Sequence, residues 1–550
     1  FSADGSVGSP HVRVGHRQDL ISKSRSHPGA AFFVGRPMQI TRIRYLVAFF
    51  FVVTAILSGC SAEKEAEPLK HPNVLFSSLD DMNDWVGPLT GHEQSITPSL
   101  DRFAETGVNF ARNYAPSPGC NPSRSATLTG LHTYTSGMYS NYQDWRNVPV
   151  LQHVETIGQH FRNNGYYTAG AGKIFHYDQV DALGWDDYYP SIEKPMPDDD
   201  FPAEGPANMP PFKYMYNMFD WGPLTISDEE TGDFESVQYI SEQLQRDHDK
   251  PFFLAAGIYR PHLPWHVPQK YFDRFPLETI RKPEVLEDDI ADLGPVAREL
   301  IARGGNYHKH VVEAGQWEKA VQGYLASIAY ADEMVGRLLQ ALERSPYAEN
   351  TIVVIWSDHG WQLGEKKHWR KFALWENVIR TVMMIRVPEG LQKMPTGSAQ
   401  GVATTNLTSL LDIYPTLVDL CNLPERNDFD GVSLRTMLAN PLDQVSRPVI
   451  STYDYGSYSI RYENWHYIKY IDDSEELYNL ADDPEEWHNL AGDEAFAPIK
   501  RQLAGFIPAH PIDLPEDSLI ELMEHHVPPF RSREYFYSEE RQLWMKRFEE

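Results

Sequence analysis

Short runs of continuously apolar residues recur along the chain, at Asn73–Leu79, Tyr166–Ala169, Pro251–Ile258 and Thr351–Trp356. Runs of this length without alternation read as strands buried on both faces, as in a parallel sheet covered by helices. Segments with helical spacing lie between them. Thr97–Ala104 opens with Thr and Pro, a capped start. Thr156–Asn164 stops at Gly165, and Gly323–Glu343 carries Tyr324, Ile328, Ala331, Val335, Leu338, Leu339 and Leu342 at helical intervals. Leu407–Cys421 has amphipathic helical spacing. Residues 178–248, rich in Asp, Pro, Met and Tyr, predict long loops. After about residue 445 the texture changes to short strands, Val449–Tyr453 and His466–Ile471. The pattern predicts an α/β protein in two parts. Residues 71–445 form a large domain with a central mixed, mostly parallel sheet flanked by helices. Residues 446–550 form a smaller C-terminal α+β subdomain with an antiparallel sheet.

The 550 residues suffice for a large core, and a formal net charge of −28 argues against nucleic acid as a partner. An anionic substrate then needs a locally positive pocket. The N-terminal segment is the exception to this acidity. Met38 is the more natural start, so residues 1–37 are expected to be an upstream extension. Arg42 and Arg44 precede the apolar run Tyr45–Leu57, the order of an export signal over residues 38–59. Leu57-Ser58-Gly59-Cys60 resembles the bacterial lipoprotein signal, which implies lipidation of Cys60, a tether over residues 60–70, and an exported protein held at a membrane, periplasmic or at the cell surface. Of the three cysteines, Cys421 sits in an apolar helical pattern and is expected in the core, so no disulfide is expected.

Candidate chemistry collects at strand ends. Asp80-Asp81 follow the first strand, where open α/β sheets place their sites. Oxygen ligands of this kind suit a hard cation, Ca²⁺ or Mg²⁺. Asp358-His359 follow the Thr351 strand. Gly172-Lys173-Ile174-Phe175-His176 follows the Tyr166 strand and offers a Lys for an oxyanion and a His for proton transfer. His262 sits at another strand end, between Pro261 and Pro264. The basic run Gly364–Lys371 is expected to face the substrate. Between these lies Cys120-Asn121-Pro122-Ser123-Arg124, with Gly130 six residues after the Arg. Pro122 suits the first turn of a helix, placing Cys120 just before a helix N-terminus with Arg124 one turn on. That is a geometry for an activated nucleophile facing an anion.

The Cys-x-Pro-Ser-Arg stretch resembles the maturation signature of the formylglycine-dependent sulfatases of the alkaline phosphatase superfamily. Thr97-Pro98-Ser99-Leu100-Asp101, Gly172-Lys173-x-x-His176, Asp430-Gly431 and Glu476-Leu477-Tyr478-Asn479-Leu480 resemble further elements of that family, in its order. Asp358-His359, where most members have Asp-Asn, resembles the iduronate-2-sulfatase branch. The resemblance implies that Cys120 is oxidised to formylglycine by a maturation enzyme. It also implies that Asp80, Asp81, Asp358 and His359 hold Ca²⁺ (Mg²⁺ being the alternative) together with the residue derived from Cys120. Arg124 and Lys173 would hold the formylglycine hydrate. Lys173, His262 and Lys371 would contact sulfate. His262 would protonate the leaving alcohol, Asp358 would be the base that activates the nucleophile, and His176 the base that frees sulfate. The implied substrate is a sulfated polysaccharide or oligosaccharide, with a uronate 2-O-sulfate suggested by the branch. A phosphodiesterase or phosphonate monoester hydrolase on the same fold, and a non-catalytic glycan-binding surface lipoprotein, are the alternative readings.

Overall fold

The computed structural model of the protein describes residues 71–198, 207–209, 218–302, 306–513 and 538. The expected signal, the Cys60 lipidation site, the tether and nearly all of the chain after residue 513 lie outside the described residues. Eight strands form the central sheet: β1 (Asn73–Leu79), β2 (Val108–Tyr114), β3 (Tyr167–Gly172), β4 (Asp187–Tyr189), β5 (Phe252–Gly257), β6 (Thr351–Ser357), β7 (Met383–Arg386) and β8 (Val402–Ser409). Their order is β8-β2-β7-β6-β1-β5-β3-β4, and only β7 runs against its neighbours. The sheet is thus mixed and mostly parallel, as the continuous apolar runs predict. β1 sits at its centre, buried along its whole length, and pairs in parallel with β5 and β6.

Helices cover both faces. The longest, Trp317–Glu343, buries an entire apolar stripe against one face, including Tyr324, Ile328, Val335 and Leu342. It also caps a neighbour. The Asp332 carboxylate accepts the backbone N–H groups of Ser99 (3.0 Å) and Leu100 (2.8 Å), at the start of the Pro98–Ala104 helix. Thr97, the cap expected from sequence, instead donates its hydroxyl to Asp101. Orphan N–H groups at a helix start are satisfied by whichever acceptor tertiary packing brings.

Two expectations are corrected. Residues 178–248 are not all loop: they include β4, a strand at Trp221–Leu224 and a twelve-residue helix, Gly232–Gln243. The helix is hidden in the sequence because its buried face uses Ser236 and Gln243 beside Val237 and Ile240, which blurs the apolar period. Leu407–Cys421 is not one helix either. Leu407 and Thr408 pair with Arg112 and Asn113 in β2, and Ser409 then caps the turn by accepting the Leu411 N–H. Only Ile413–Leu420 continues as α-helix. Gly431 is needed nearby, because a Cβ there would meet the Leu411 carbonyl oxygen at 2.1 Å.

The C-terminal sheet is an antiparallel meander of Val449–Tyr453, Ser457–Tyr462, Trp465–Lys469 and Glu475–Asn479. Buried polar contacts tie it to the large domain: Arg461 pairs with Glu376 at 3.1 Å, and Ser451 donates to the Ala115 carbonyl at 2.6 Å. Cys421 is fully buried in the core, and neither Cys120 nor Cys421 forms a disulfide.

Candidate active site

The parallel register aligns Leu79 of β1 with Ser357 of β6. The residues that follow, Asp80-Asp81 and Asp358-His359, therefore leave adjacent strands at the same edge. All four are fully buried. Asp81 adopts a left-handed backbone (φ 62°), and its N–H donates to Asp358 Oδ1 at 3.1 Å. The same oxygen accepts the His359 N–H at 3.0 Å. Asp358 is thus fixed by its neighbours' backbone.

Cys120 is the first residue of the Cys120–Thr129 helix, with Gly119 before it as the cap. The helix starts one residue earlier than the sequence suggests, with Pro122 still inside the first turn. Asn121 anchors that turn by donating its side-chain amide to the Gln143 carbonyl at 2.7 Å. Ser123 donates to the Asp358 backbone carbonyl at 2.6 Å, which gives the Ser of the Cys-x-Pro-Ser-Arg stretch its physical reason. Arg124 turns back under the strand ends. Its Nε donates to Asp358 Oδ2 at 2.8 Å, and Nη2 donates to the Leu79 carbonyl at 3.1 Å. Nη1 donates to the carbonyls of Lys173 and Ile174. The guanidinium pins three segments together and is committed to them.

The Cys120 thiol lies 3.4 Å from Asp80 Oδ1, 3.4 Å from His359 Nε2 and 2.7 Å from Lys371 Nζ. Burial, with the Asp80 charge adding, pushes this thiol up, against the pull of Lys371 and Lys173.

Three cations surround the acids. Lys173 pairs with Asp80 and lies over the rings of Tyr177 (4.8 Å) and Tyr259 (4.9 Å). Lys371 pairs with Asp81 at 2.8 Å, and Arg124 with Asp358. Burial would raise the Asp80 carboxyl, but Lys173, His262, Arg124 and Lys371 together hold it well below the usual range. Burial pushes Asp81 up to about 7 against Lys371, with Asp80 and Asp358 adding to the rise. His262 Nε2 is 3.7 Å from Asp81 Oδ2, and its Nδ1 meets the Leu263 carbonyl at 2.5 Å. Burial and the two lysines push His262 well below the ordinary imidazole value. His176 sits half-buried against Tyr177, and burial with the same lysines lowers its pKa in the same way. Its ring makes no hydrogen bond among the described residues.

Whether these groups suit a cation follows from their chemistry. One oxygen, nitrogen or sulfur atom from each of Asp80, Cys120, Asp358 and His359 lies within 4.8 Å of the others, as do atoms from Asp80, Asp81, Cys120 and His262. Asp81 Oδ2 is buried without a hydrogen bond among the described residues. Three buried carboxylates with an orphaned oxygen fit a hard divalent ion. His262 as a possible ligand is not readable from sequence, since a histidine beside two prolines carries no spacing signal.

The basic run of residues 364–371 does not face the site as a whole. Lys366 turns away to Asp289 (2.7 Å), and Lys367 donates to the Glu287 carbonyl. His368 is buried against Trp375. Three residues of this stretch, Lys366, Lys367 and Arg370, and Phe372 just after it are left-handed (φ 53°, 52°, 82° and 71°), a strained path for side chains with a Cβ. It is held by Trp369, whose indole donates to His308, and by Phe372, whose N–H donates to the Pro118 carbonyl at 3.0 Å. Its product is Lys371 over Cys120.

A buried residue at a helix start, ringed by three cations and by carboxylates fit for a metal, defines a hydrolase of anionic esters. The sulfatase family profile matches residues 72–423, and the profile of the N-sulphoglucosamine sulphohydrolase C-terminal region matches residues 364–509. The chain belongs to the sulfatase family and is a sulfuric ester hydrolase. A sulfatase of Formosa agariphila is 33% identical over 447 residues, covering 79% of this chain and 86% of that protein. Mouse iduronate 2-sulfatase is 28% identical, covering 64% and 69%. The solved structure of a 2-O GAG sulfatase superposes with a TM-score of 0.61 at 21% identity, over 79% of this chain and 90% of that one, a likeness of fold.

Proposed function

We propose that this sulfatase removes sulfate from a sulfated polysaccharide or oligosaccharide, a uronate 2-O-sulfate first among them, through a formylglycine made from Cys120. The observation that carries the reading is the Cys120 side chain, held at the start of its helix 2.7 Å from Lys371 and 3.4 Å from both Asp80 and His359. The net reaction takes a sulfate monoester and water to an alcohol, sulfate dianion and a proton.

Formylglycine supplies a geminal diol, a stronger nucleophile toward sulfur than a protonated thiol. Asp80, Asp81, Asp358 and His359, with the residue derived from Cys120, would hold Ca²⁺, which would neutralise a sulfate oxygen and lower the pKa of a hydroxyl beside it. Lys173 and Lys371 neutralise further oxygens, as an anionic electrophile requires. Asp358, oriented by Arg124, accepts the nucleophile's proton. His262 gives a proton to the departing alkoxide. His176 accepts the proton released as sulfate leaves. Measuring sulfate and phosphate released from matched sulfated uronides, phosphate esters and phosphonates tests the reading. Sulfate release from the uronides is the expected result, and turnover of the phosphorus esters alone would overturn it.

Exhaustive chelation is expected to cut sulfate release by at least about 100-fold, with Ca²⁺ restoring it. Ion chromatography of released sulfate reads this out, and undiminished activity after chelation contradicts the ligand set. His262→Ala is expected to slow sulfate removal from a sugar by about 10²–10⁴-fold. An aryl sulfate, with its better leaving group, should suffer less. Equal slowing of both would remove the acid role from His262.

The proposed lipid anchor on Cys60 predicts incorporation of labelled palmitate in a bacterial host, lost in Cys60→Ala. Several acyl chains together make such anchoring stable. An unlabelled wild type would overturn it.

A further inference from the structure

Each cation that touches the acids is matched to one: Arg124 to Asp358, Lys173 to Asp80 and Lys371 to Asp81. Arg370 is different. It precedes Lys371 in the chain, yet no carboxylate among the described residues pairs with it. The one hydrogen bond its side chain makes among the described residues is from Nη1 to the Tyr307 hydroxyl, at 3.1 Å. Its Nε is buried without a partner there. The guanidinium is slotted between two rings, 5.2 Å from the Tyr307 centroid and 5.5 Å from that of Phe372.

That position belongs to the active site. The Phe372 ring that Arg370 covers is also approached by Lys371 Nζ, at 5.9 Å. The ring packs toward Gly119, the cap of the Cys120 helix, whose added Cβ would lie 3.4 Å from Phe372 Cε1. Successive residues of an extended chain normally point to opposite sides. The left-handed backbone at Arg370 and Phe372 breaks that alternation and delivers two consecutive cations to one ring. Strain of this kind persists where the surroundings enforce it, and here Trp369 and Arg370 are held by His308 and Tyr307. Lys371 Nζ lies against Cys120 and Asp81, at the reacting centre. Arg370 keeps a planar fork of donors free of any acidic partner among the described residues, the geometry that matches a carboxylate or a sulfate oxygen pair.

We propose that Arg370 is a substrate-binding residue that pairs with a second anionic group, a carboxylate or another sulfate, on the sugar whose sulfate ester lies at Cys120. This rests on the reading of the substrate as a sulfated glycan. It adds a requirement: the preferred substrate carries two negative groups, one at the reacting centre and one against the Tyr307–Arg370–Phe372 face.

The test measures affinity by calorimetry in the full chain carrying Cys120→Ala, with Ca²⁺ present, so that bound esters are not consumed. The ligands are a 2-O-sulfated uronide, its carboxyl-reduced counterpart, and neutral hexoses with one or two sulfates. With Arg370 present, the uronide or the disulfated hexose is expected to bind about 10- to 100-fold tighter than its singly charged counterpart. Arg370→Gln should erase most of that ratio, and Arg370→Lys should retain part of it. A preference confined to the uronide identifies the second group as carboxylate, and one confined to the disulfated hexose identifies it as sulfate. An unchanged ratio in Arg370→Gln, or no ratio with Arg370 present, overturns the proposal. Sulfate release by the unsubstituted enzyme, measured in parallel on the same ligands, separates the two claims. Release without charge discrimination sinks only the role of Arg370, whereas no release from any glycan sinks the wider function.

Discussion

Cys120→Ala is expected to reduce sulfate release by at least about four orders of magnitude while leaving the fold intact, because the nucleophile and its activation disappear together. The local structure makes the fold part of this expectation specific. Cys120 donates no hydrogen bond that the helix needs, since its first turn is anchored through Asn121 and Ser123. Its thiol contributes contacts to Asp80, His359 and Lys371, all functional groups. A small buried side chain is lost, and a modest fall in unfolding midpoint follows. Circular dichroism and thermal unfolding check the fold, and sulfate release checks the chemistry. Substantial activity in a fully folded Cys120→Ala protein would end the formylglycine mechanism.

Arg124→Ala is expected to act differently, on stability and activity at once. The Arg124 side chain is fully buried and pairs with Asp358 at 2.8 Å. It also donates to carbonyls of Leu79, Lys173 and Ile174, at the ends of two strands and the loop between site residues. Removing it leaves a buried carboxylate without its partner and carbonyls without donors. Breaking a buried pair in this way costs about 3–5 kcal/mol. Denaturant unfolding of the variant should show that loss, and Arg124→Lys should recover little of it, since an ammonium cannot reproduce the fork. A variant as stable as the unsubstituted protein would show that Arg124 serves the substrate alone.

Much of the site is legible because the sequence marks it twice, as strand ends and as short motifs. Asp80-Asp81 and Asp358-His359 follow apolar runs whose limits match β1 and β6 almost to the residue. The parallel register then brings them together, which no local pattern states but the fold class implies. What stays hidden is set by tertiary partners. Ser409 ends a strand because Leu407 and Thr408 find β2, although the apolar spacing reads as helix. Lys366 leaves the substrate side because Asp289 lies behind it. Arg370 stands out only through what it lacks among the described residues, a paired acid, and absence of a partner has no signature in sequence. The Tyr177 and Tyr259 rings that flank Lys173 come from separate loops and share no motif.

Everything proposed for the chemistry depends on residue 120 being an aldehyde when the enzyme works. Mass spectrometry of the peptide containing Cys120, from protein made in a host with a maturation enzyme, reads that residue itself. The expected mass is about 18 Da below that of the unmodified cysteine peptide, from exchange of CH₂SH for CHO. Across preparations, specific activity should rise in proportion to that fraction. Full sulfate release from protein whose Cys120 peptide carries only the unmodified thiol would contradict the mechanism.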